Sequence, residues 1–360
     1  MTWLLLLLLF FILLTSCGLL VSVLSIRTCS QDTSPLLKIS VVIAAKNEGK
    51  NISGLISSLQ NLDYPKDLFE IIIIDDNSSD NTLELLTKSI SPDGNIKYFP
   101  LPKDSGTGKK NALTFGIDKS SFDYILITDA DCIPSSSWVK SFAYQFSRGY
   151  DLLLGIAPYF QSKSFFNKIT CFENLRAHIL TFGAANAGFA YSGAARSMGF
   201  KKEPFLNIGG YSKTFELKSG DDDLLIREAV KNNLKIGVVA DKAAFVYTHT
   251  KQNWKSYFYQ KSRHVSTSNH YLFKHILFLL VWHLSNLALI LSPIVLLFSP
   301  FSIIAFASKI VLDISLILIL QKKFGYRFNL LEVFFLQIIY ELFLIIHYTG
   351  SFTGRNRAWK

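Results

Sequence analysis

The sequence predicts an α/β protein: a mostly parallel sheet with helices on both faces, lying between membrane helices at the N- and C-terminal ends. From Ile39 onward, short β-branched runs alternate with segments of helical periodicity. This alternation is typical of parallel strands joined by right-handed crossovers. The run at residues 70–75 (EIIIID) lacks polar alternation, as expected for a strand covered on both faces. Apolar stretches of membrane length flank the region on both sides.

The first part of the α/β region is predicted to contain four strands with three helices between them. The strands are residues 39–45, 69–75, 96–99 and 124–129. The helices lie near residues 50–60, 82–89 and 109–119. No further strand is assigned in this region.

Four apolar stretches are candidates for membrane segments. They are residues 3–26, 276–298, 301–320 and 330–348. The last stretch carries four polar side chains, which a lipid-facing span tolerates poorly: Glu332, Gln337, Glu341 and His347. It is therefore either a third C-terminal span or an amphipathic helix in the interface. The predicted organisation is an N-terminal anchor (1–27), a catalytic domain (36–270), a membrane region (275–350) and a basic tail (351–360).

The charge distribution indicates on which side of the membrane the middle region lies. Basic residues follow the first apolar stretch and precede the second, and include Arg27, Lys38, Lys255 and Lys274. The positive-inside bias therefore predicts an integral protein of the inner (cell) membrane with a cytoplasmic catalytic domain. The net charge of +10 needs no nucleic-acid partner, and no nucleic-acid-binding signature is present. The four cysteines show neither disulfide nor zinc spacing.

Three acid clusters carry the functional prediction. They are residues 75–76 (DD), 129–131 (DAD) and 221–223 (DDD). The first two clusters, and residues 46–48 (KNE), follow predicted strands, where ligands bind in open α/β sheets. Each cluster alone is compatible with a turn or a helix cap. Because unpaired carboxylates repel one another, their coincidence at strand ends favours a divalent cation with a phosphate-bearing substrate. No Walker loop or GxGxxG motif competes with this interpretation.

From residue 39 to residue 264 the chain resembles the family 2 glycosyltransferases with the GT-A fold. The resemblance is carried by residues 41–48 (VVIAAKNE), 73–82 (IIDDNSSDNT), 108–113 (GKKNAL), 129–131, 192–196 (SGAAR), 208–211 (IGGY) and 220–223 (GDDD). It implies a nucleotide diphospho-sugar as donor. The donor-binding residues that it implies are Ala45, Asn47, Glu48, Asp76, Lys109, Asp129 and Gln260.

The same resemblance implies a metal site. Residues 129–131 look like the family's DxD motif, in which Asp129 and Asp131 would bind a divalent cation that bridges the diphosphate. Hard carboxylate oxygens suit Mg²⁺ or Mn²⁺. His249 is a further candidate ligand, although a lone histidine more often makes an ordinary hydrogen bond.

Residues 220–223 resemble the family's acidic motif, in which one aspartate is the general base. One alignment of the motif gives Asp222 and another gives Asp221. An attacking sugar hydroxyl must lose its proton, and neighbouring carboxylates raise the proton affinity of the base. Residues 260–264 (QKSRH) resemble the QxxRW motif, with His264 where tryptophan is expected. This departure puts polymer synthesis in question and leaves Arg263 able to hold the diphosphate.

The resulting prediction is an inverting, metal-dependent glycosyltransferase with a UDP-hexose or UDP-N-acetylhexosamine donor and a lipid, lipid-linked or glycan acceptor. A sugar-phosphate nucleotidyltransferase is one alternative, which would require a Gly-rich basic loop after the first strand in place of residues 46–48. A non-catalytic, membrane-tethered nucleotide-sugar sensor is the other.

Overall fold

The computed structural model describes residues 2–28, 36–91, 94–214, 220–295 and 300–353. Residues 354–360, most of the predicted tail, lie outside this range. The helices are α1 (Thr2–Ser25), α2 (Ile52–Gln60), α3 (Thr82–Ser89), α4 (Lys109–Lys119), α5 (Trp138–Ser147), α6 (Phe165–Asn186), α7 (Lys202–Asn207), α8 (Asp223–Lys231), α9 (Trp254–Thr267), α10 (Phe273–Val295), α11 (Pro300–Leu320) and α12 (Leu330–Thr353). The strands are β1 (Ile39–Ala45), β2 (Phe69–Asp75), β3 (Ile96–Pro100), β4 (Tyr124–Asp129), β5 (Cys132–Pro134), β6 (Leu152–Gly155), β7 (Met198–Lys201), β8 (Ile236–Val239) and β9 (Val246–Thr248).

The chain divides into two compact units. An α/β unit comprises residues 26–160 and 192–249, and a helical unit contains α1, α6 and α9 to α12. Helices α6 and α9, which fall inside the predicted catalytic domain 36–270, pack within the helical unit.

The α/β unit is built on a seven-stranded sheet with the order β3-β2-β1-β4-β7-β6-β8. Strand β7 pairs antiparallel with β4 and β6, and the other pairings in this sheet are parallel. The predicted mostly parallel sheet is therefore confirmed. Strands β5 and β9 form a separate antiparallel pair.

Helices cover both faces of the parallel half of this sheet. On one face, β1 contributes Val41 and Ile43 to a core that also contains buried side chains of α2, α3 and α5. On the other face, α4 approaches β1 and β2 at Gly116. A Cβ at Gly116 would lie 3.1 Å from Cγ1 of Ile74 and would also collide with Val42. A side chain there would therefore push the helix away from the sheet.

The predicted elements of the α/β unit match the structure closely. Strands β1, β2 and β4 and helices α3 and α4 have the predicted bounds, β3 is one residue longer, and α2 begins at Ile52. The prediction did not include β5 to β9. These strands contain only three or four residues each, which is too short for a distinctive apolar pattern.

Among the residues that the structure describes, the helical unit contains four helices that are long and apolar enough to cross a membrane. They are α1, α10, α11 and α12. In α12, the polar side chains that argued against a lipid-facing span have partners within the unit. Glu332 pairs with Lys168 at 2.5 Å, and Glu341 lies 3.8 Å from Arg176. His347 lies 3.3 Å from the hydroxyl of Tyr257. Helix α12 can therefore carry these residues without presenting them to lipid.

A second set of buried charges joins three helices of this unit. Arg176 of α6 lies between Asp313 of α11, at 3.4 Å, and Glu341 of α12, at 3.8 Å. Lys309 pairs with Asp313 one turn along α11. Two cations thus face two anions, so the charge of the set is balanced.

Candidate active site

The carboxyl ends of β1, β2 and β4 lie side by side and form the floor of the candidate site. Strand β1 pairs in parallel with both neighbours, with Ala45 opposite Asp75 and Ala44 opposite Asp129. The loops that follow these strands therefore open at one edge of the sheet. Ala45 is buried, and its carbonyl accepts a 2.8 Å hydrogen bond from the backbone N–H of Asp76.

Asp76 is a fully buried carboxylate at this edge. Its Oδ2 accepts hydrogen bonds from Lys46 Nζ at 3.1 Å and from the backbone N–H of Gly108 at 3.0 Å. Its Oδ1 makes no hydrogen bond with any residue that the structure describes. A buried acceptor without a partner is costly, so this oxygen is suited to a hydroxyl or amide donor of a ligand. The neighbouring Asp75 accepts from the backbone N–H of Ser78 through Oδ2, and its Oδ1 likewise has no hydrogen-bond partner among the described residues.

The loop after β1 is fastened to the loop after β2 by its own polar groups. Asn47 has a positive φ of 56° and accepts a 2.8 Å hydrogen bond from the backbone N–H of Ser79. The backbone N–H of Glu48 donates to Thr82 Oγ1 at 2.8 Å. These bonds fix the two loops relative to each other, and Asn47 stays exposed at their rim.

The predicted metal ligands lie together. One ligand atom from each of Asp129, Asp131 and Cys132 falls within 4.8 Å of the others. His249 is not part of this group, and its ring packs 4.8 Å from that of Phe160. Burial, followed by the charge of Asp131, raises the pKa of the Cys132 thiol well above its usual value. The two partly exposed carboxylates are therefore the available donors, and paired hard oxygens fit Mg²⁺ or Mn²⁺.

The third acid cluster begins helix α8. Asp222 is the N-cap residue, and its Oδ1 accepts from the backbone N–H of Asp223 at 2.8 Å. Its Oδ2 accepts from the backbone N–H of Ala195 at 3.2 Å. Asp223 accepts a 2.7 Å hydrogen bond from Ser192 Oγ. The residues of the predicted acidic motif therefore also cap a helix and anchor the 192–196 segment.

The carboxyls of this cluster differ in proton affinity. Burial, together with the charges of Asp223 and Asp221, raises the pKa of Asp222 to about 8. Burial alone would raise the pKa of Asp221 as well, but the ammonium of Lys109 lowers it below the usual value. Adjacent acids with opposite shifts are the arrangement that separates a proton acceptor from a permanent anion.

Lys109 connects the acid clusters. Its Nζ lies 2.7 Å from Asp129 Oδ1 and is also paired with Asp221. Burial would lower the pKa of Lys109, but these two carboxylates raise it well above its usual value. The side chain therefore remains a cation between the DxD segment and the acidic motif.

Two further groups that sequence reasoning did not single out face the same cluster. Lys110 donates a 2.7 Å hydrogen bond to the carbonyl of Thr214, and burial lowers its pKa to about 8. The buried hydroxyl of Tyr211 makes no hydrogen bond with the described residues, and burial together with the charge of Asp221 raises its pKa. The sequence did contain a signal for Lys109 and Lys110: two cations in the first turn of a helix oppose its dipole, which indicates that they have anionic partners elsewhere.

Gln260 and Arg263, the remaining predicted site residues, lie on α9 in the helical unit. Arg263 Nη2 is 3.4 Å from Nε2 of His264. Lys261, on the same helix, pairs with Glu173 of α6 at 2.9 Å. This ion pair and an N-cap hydrogen bond from Ser256 to Asn253 fix the helix that carries the motif.

Comparison with known proteins gives the family. Residues 40–201 match the model of glycosyl transferase family 2. This part of the chain belongs to that family. The segment contains β1 to β4, the DxD residues and Lys109, so the family prediction made from these motifs is confirmed.

Individual relatives match over shorter stretches. The chain is 38% identical over 105 residues to the probable glycosyltransferase YdaM of Bacillus subtilis. It is 38% identical over 95 residues to a poly-beta-1,6-N-acetyl-D-glucosamine synthase of Staphylococcus epidermidis. The matches cover 29% and 26% of this chain. The chain spans about a quarter of the length of these relatives, at 25% and 22%.

A solved structure gives the fold. The mannosyltransferase PcManGT from Pyrobaculum calidifontis, in complex with GDP-Man and Mn²⁺, superposes with a TM-score of 0.58 at 15% identity. The match covers 95% of this chain and 98% of that chain. The predicted GT-A fold is thus confirmed.

Proposed function

We propose that the chain is an inverting glycosyltransferase that moves a sugar from a nucleotide diphospho-sugar to an acceptor hydroxyl at the membrane. The observation that carries the proposal is the pairing of Lys109 with both Asp129 and Asp221. An acid of the DxD segment and an acid of the acidic motif thereby meet around one ammonium. Donor-binding and proton-accepting groups are then close enough to act on one anomeric carbon.

The donor in this proposal is a UDP-hexose or a UDP-N-acetylhexosamine. Ala45, Asn47, Glu48 and Asp76 would hold the nucleoside, with the unpaired Oδ1 of Asp76 available to a ligand donor group. The S. epidermidis relative is named for a polymer of N-acetylglucosamine, which supports an N-acetylhexosamine. The GDP-Man in the PcManGT complex makes GDP-mannose the alternative donor to be tested.

The diphosphate would be held by a divalent cation, which carboxylates bind, and by cationic side chains. Asp129 and Asp131 would bind a divalent cation, which supplies positive charge to the leaving diphosphate when it is bound. Lys109 would hold phosphate oxygens directly. The resemblance implies that Arg263 also holds the diphosphate and that Gln260 binds the donor.

Asp222 is proposed as the general base. A pKa of about 8 places it near the operating pH, where a carboxylate can both ionise and accept the proton of the acceptor hydroxyl. Asp221 is the alternative, but its ion pair with Lys109 lowers its proton affinity. Direct attack by the hydroxyl needs no covalent enzyme intermediate.

Membrane placement suggests the class of acceptor. Among the described residues, four helices long and apolar enough to cross a membrane support a location at a bilayer, and the basic flanks favour a cytoplasmic catalytic domain. A lipid, a lipid-linked sugar or an envelope glycan is the acceptor that such an enzyme would meet. The proposed layout is an anchor at 1–27, a catalytic domain at 36–270, a membrane region at 275–350 and a tail at 351–360.

Membranes containing the chain, incubated with radiolabelled nucleotide sugars in the presence and absence of EDTA, test the proposal. We expect sugar transfer from one donor, loss of transfer with EDTA or in Asp131→Asn, and loss of turnover with retained donor binding in Asp222→Asn. Release of pyrophosphate from a nucleoside triphosphate would indicate a nucleotidyltransferase. Donor binding without nucleoside diphosphate release would indicate a sensor, and full activity of Asp222→Asn would refute the assignment of the base.

A further inference from the structure

The carboxylate of Asp129 already has a cation of the protein as its partner. Its Oδ1 lies 2.7 Å from Lys109 Nζ, and the same ammonium is paired with Asp221. The Lys109 side chain is 17% exposed and that of Asp221 is 16% exposed, so water screens these pairs only in part. Asp129 is also one of the two carboxylates that the proposed function assigns to a divalent ion.

An ammonium and a divalent ion compete for such a carboxylate. A Mg²⁺ or Mn²⁺ ion takes carboxylate oxygens at about 2.1 Å, and two cations that share an oxygen repel each other strongly where solvent is partly excluded. Ion binding through Oδ1 of Asp129 therefore requires that Lys109 withdraw, and binding through Oδ2 still sets two cations against each other on one carboxylate.

We propose that Lys109 is a resident counter-cation of the acid site, which a divalent ion must displace from Asp129. Lys109 is thus a positioning residue that weakens metal binding in the donor-free protein. This inference rests on the metal site of the proposed function.

The position of Lys109 supports this role. It is the first residue of α4, where the helix dipole disfavours a cation, and its two carboxylate partners offset that cost. The preceding residue, Gly108, is fixed because its backbone N–H donates to the buried Asp76. The backbone is thereby held, while the four-carbon stem of the lysine can reorient.

The competition has a consequence for the order of binding. An anionic diphosphate near α4 offers Lys109 alternative partners, and its departure frees Asp129 for the ion. Metal and donor therefore favour each other's binding, and by linkage the effect is the same in both directions.

Titration of purified full-length protein with Mn²⁺ alone, followed by the electron paramagnetic resonance signal of free Mn²⁺, tests the inference. We expect Lys109→Gln to bind Mn²⁺ about tenfold more tightly than the wild type, within the usual range of coupling between sites. Lys110→Gln is the matched control: it removes the same charge one residue further along, from an ammonium that binds the Thr214 carbonyl. We expect a clearly smaller change in that variant.

The outcomes separate the inference from the proposed function. Loss of Mn²⁺ binding in Asp129→Asn and Asp131→Asn, with affinity in Lys109→Gln unchanged or weakened, would overturn the role of Lys109 alone. Unchanged binding in both aspartate variants would overturn the metal site, and the inference with it.

A second measurement needs no variant. Acetic anhydride labelling of the wild-type protein, quantified by mass spectrometry, compares Lys109 with Lys110 in the presence and absence of Mn²⁺. Displacement from Asp129 should raise the labelling of Lys109 relative to that of Lys110. Equal ratios with and without bound Mn²⁺ would contradict the displacement.

Discussion

The raised proton affinity of Asp222 predicts a pH-dependent loss of stability that Asp222→Asn removes. The pKa of Asp222 is about 8 in the folded chain, against a reference value of 3.8. Between these values the folded state holds a proton that the unfolded state has released. The contribution of Asp222 to stability is therefore complete below pH 4 and declines as the pH rises towards 8.

The size of this effect follows from linkage. One bound proton changes the free energy of unfolding by about 1.4 kcal/mol per pH unit at most. Because Asp222 is partly exposed, screening by solvent narrows the pH range over which this slope applies. For a folded domain of the size of the α/β unit, a change of about 1 kcal/mol in the free energy of unfolding corresponds to roughly 2–4 °C in melting temperature.

Thermal melts of the full chain in detergent, with EDTA and from pH 5 to pH 9, measure the effect. Asparagine caps a helix about as well as aspartate, so Asp222→Asn changes the charge and keeps the cap. The wild type should lose stability relative to this variant up to about pH 8, above which the difference should level off. Asp104→Asn, at an exposed position, is the control. A difference that does not depend on pH would mean that Asp222 is ionised throughout, which removes the basis for its role as the base.

Three further substitutions test the packing and charge described above. Gly116→Ala should lower the free energy of unfolding by about 1–3 kcal/mol through overpacking. Gly54→Ala is the control, because the space around Gly54 is open, and it should not lower the melting temperature. Equal melting temperatures for the two variants would contradict the close approach of α4 to the sheet. Lys46→Met removes an ion-pair partner of the buried Asp76 and should lower the free energy of unfolding by about 1 kcal/mol, whereas Lys46→Arg should restore it. A melting temperature of Lys46→Met equal to that of the wild type would refute this. Arg176→Met leaves the buried Glu341 without its cation and Asp313 with Lys309 alone. It should cost about 3–5 kcal/mol, measured as a lower melting temperature in detergent; an unchanged melting temperature would show that the set is not coupled.

The sheet could be predicted best where a strand is a mostly apolar run of six or seven residues, as in β1, β2 and β4. The run in β2 is interrupted only by Glu70, whose carboxylate is hydrogen-bonded to Ser40 and Ser121. Strand β7 gives no such signal: it has four residues, one of them a glycine, and its place between β4 and β6 is set by tertiary pairing. Short strands take their stability from neighbours that the local sequence does not reveal.

The candidate site was predictable in its residue types and less so in its connections. Positions at strand ends indicated that Asp76 and Asp129 lie at one edge of the sheet. The sequence did not predict that Lys109 would join Asp129 to Asp221, because these residues come from distant parts of the chain and meet only through the topology. Likewise, the polar residues of α12 argued against a lipid-facing span until their partners in the helical unit were known.

The buried charged set of Arg176, Lys309, Asp313 and Glu341 is completed in steps as the chain is synthesised. Lys309 and Asp313 neutralise each other on α11 and can enter the bilayer as a pair. Glu341, on α12, is synthesised last of the four residues, whereas its partner Arg176, on α6, is synthesised much earlier. Until α12 has been synthesised, the set therefore contains two cations and one anion, so one positive charge is uncompensated.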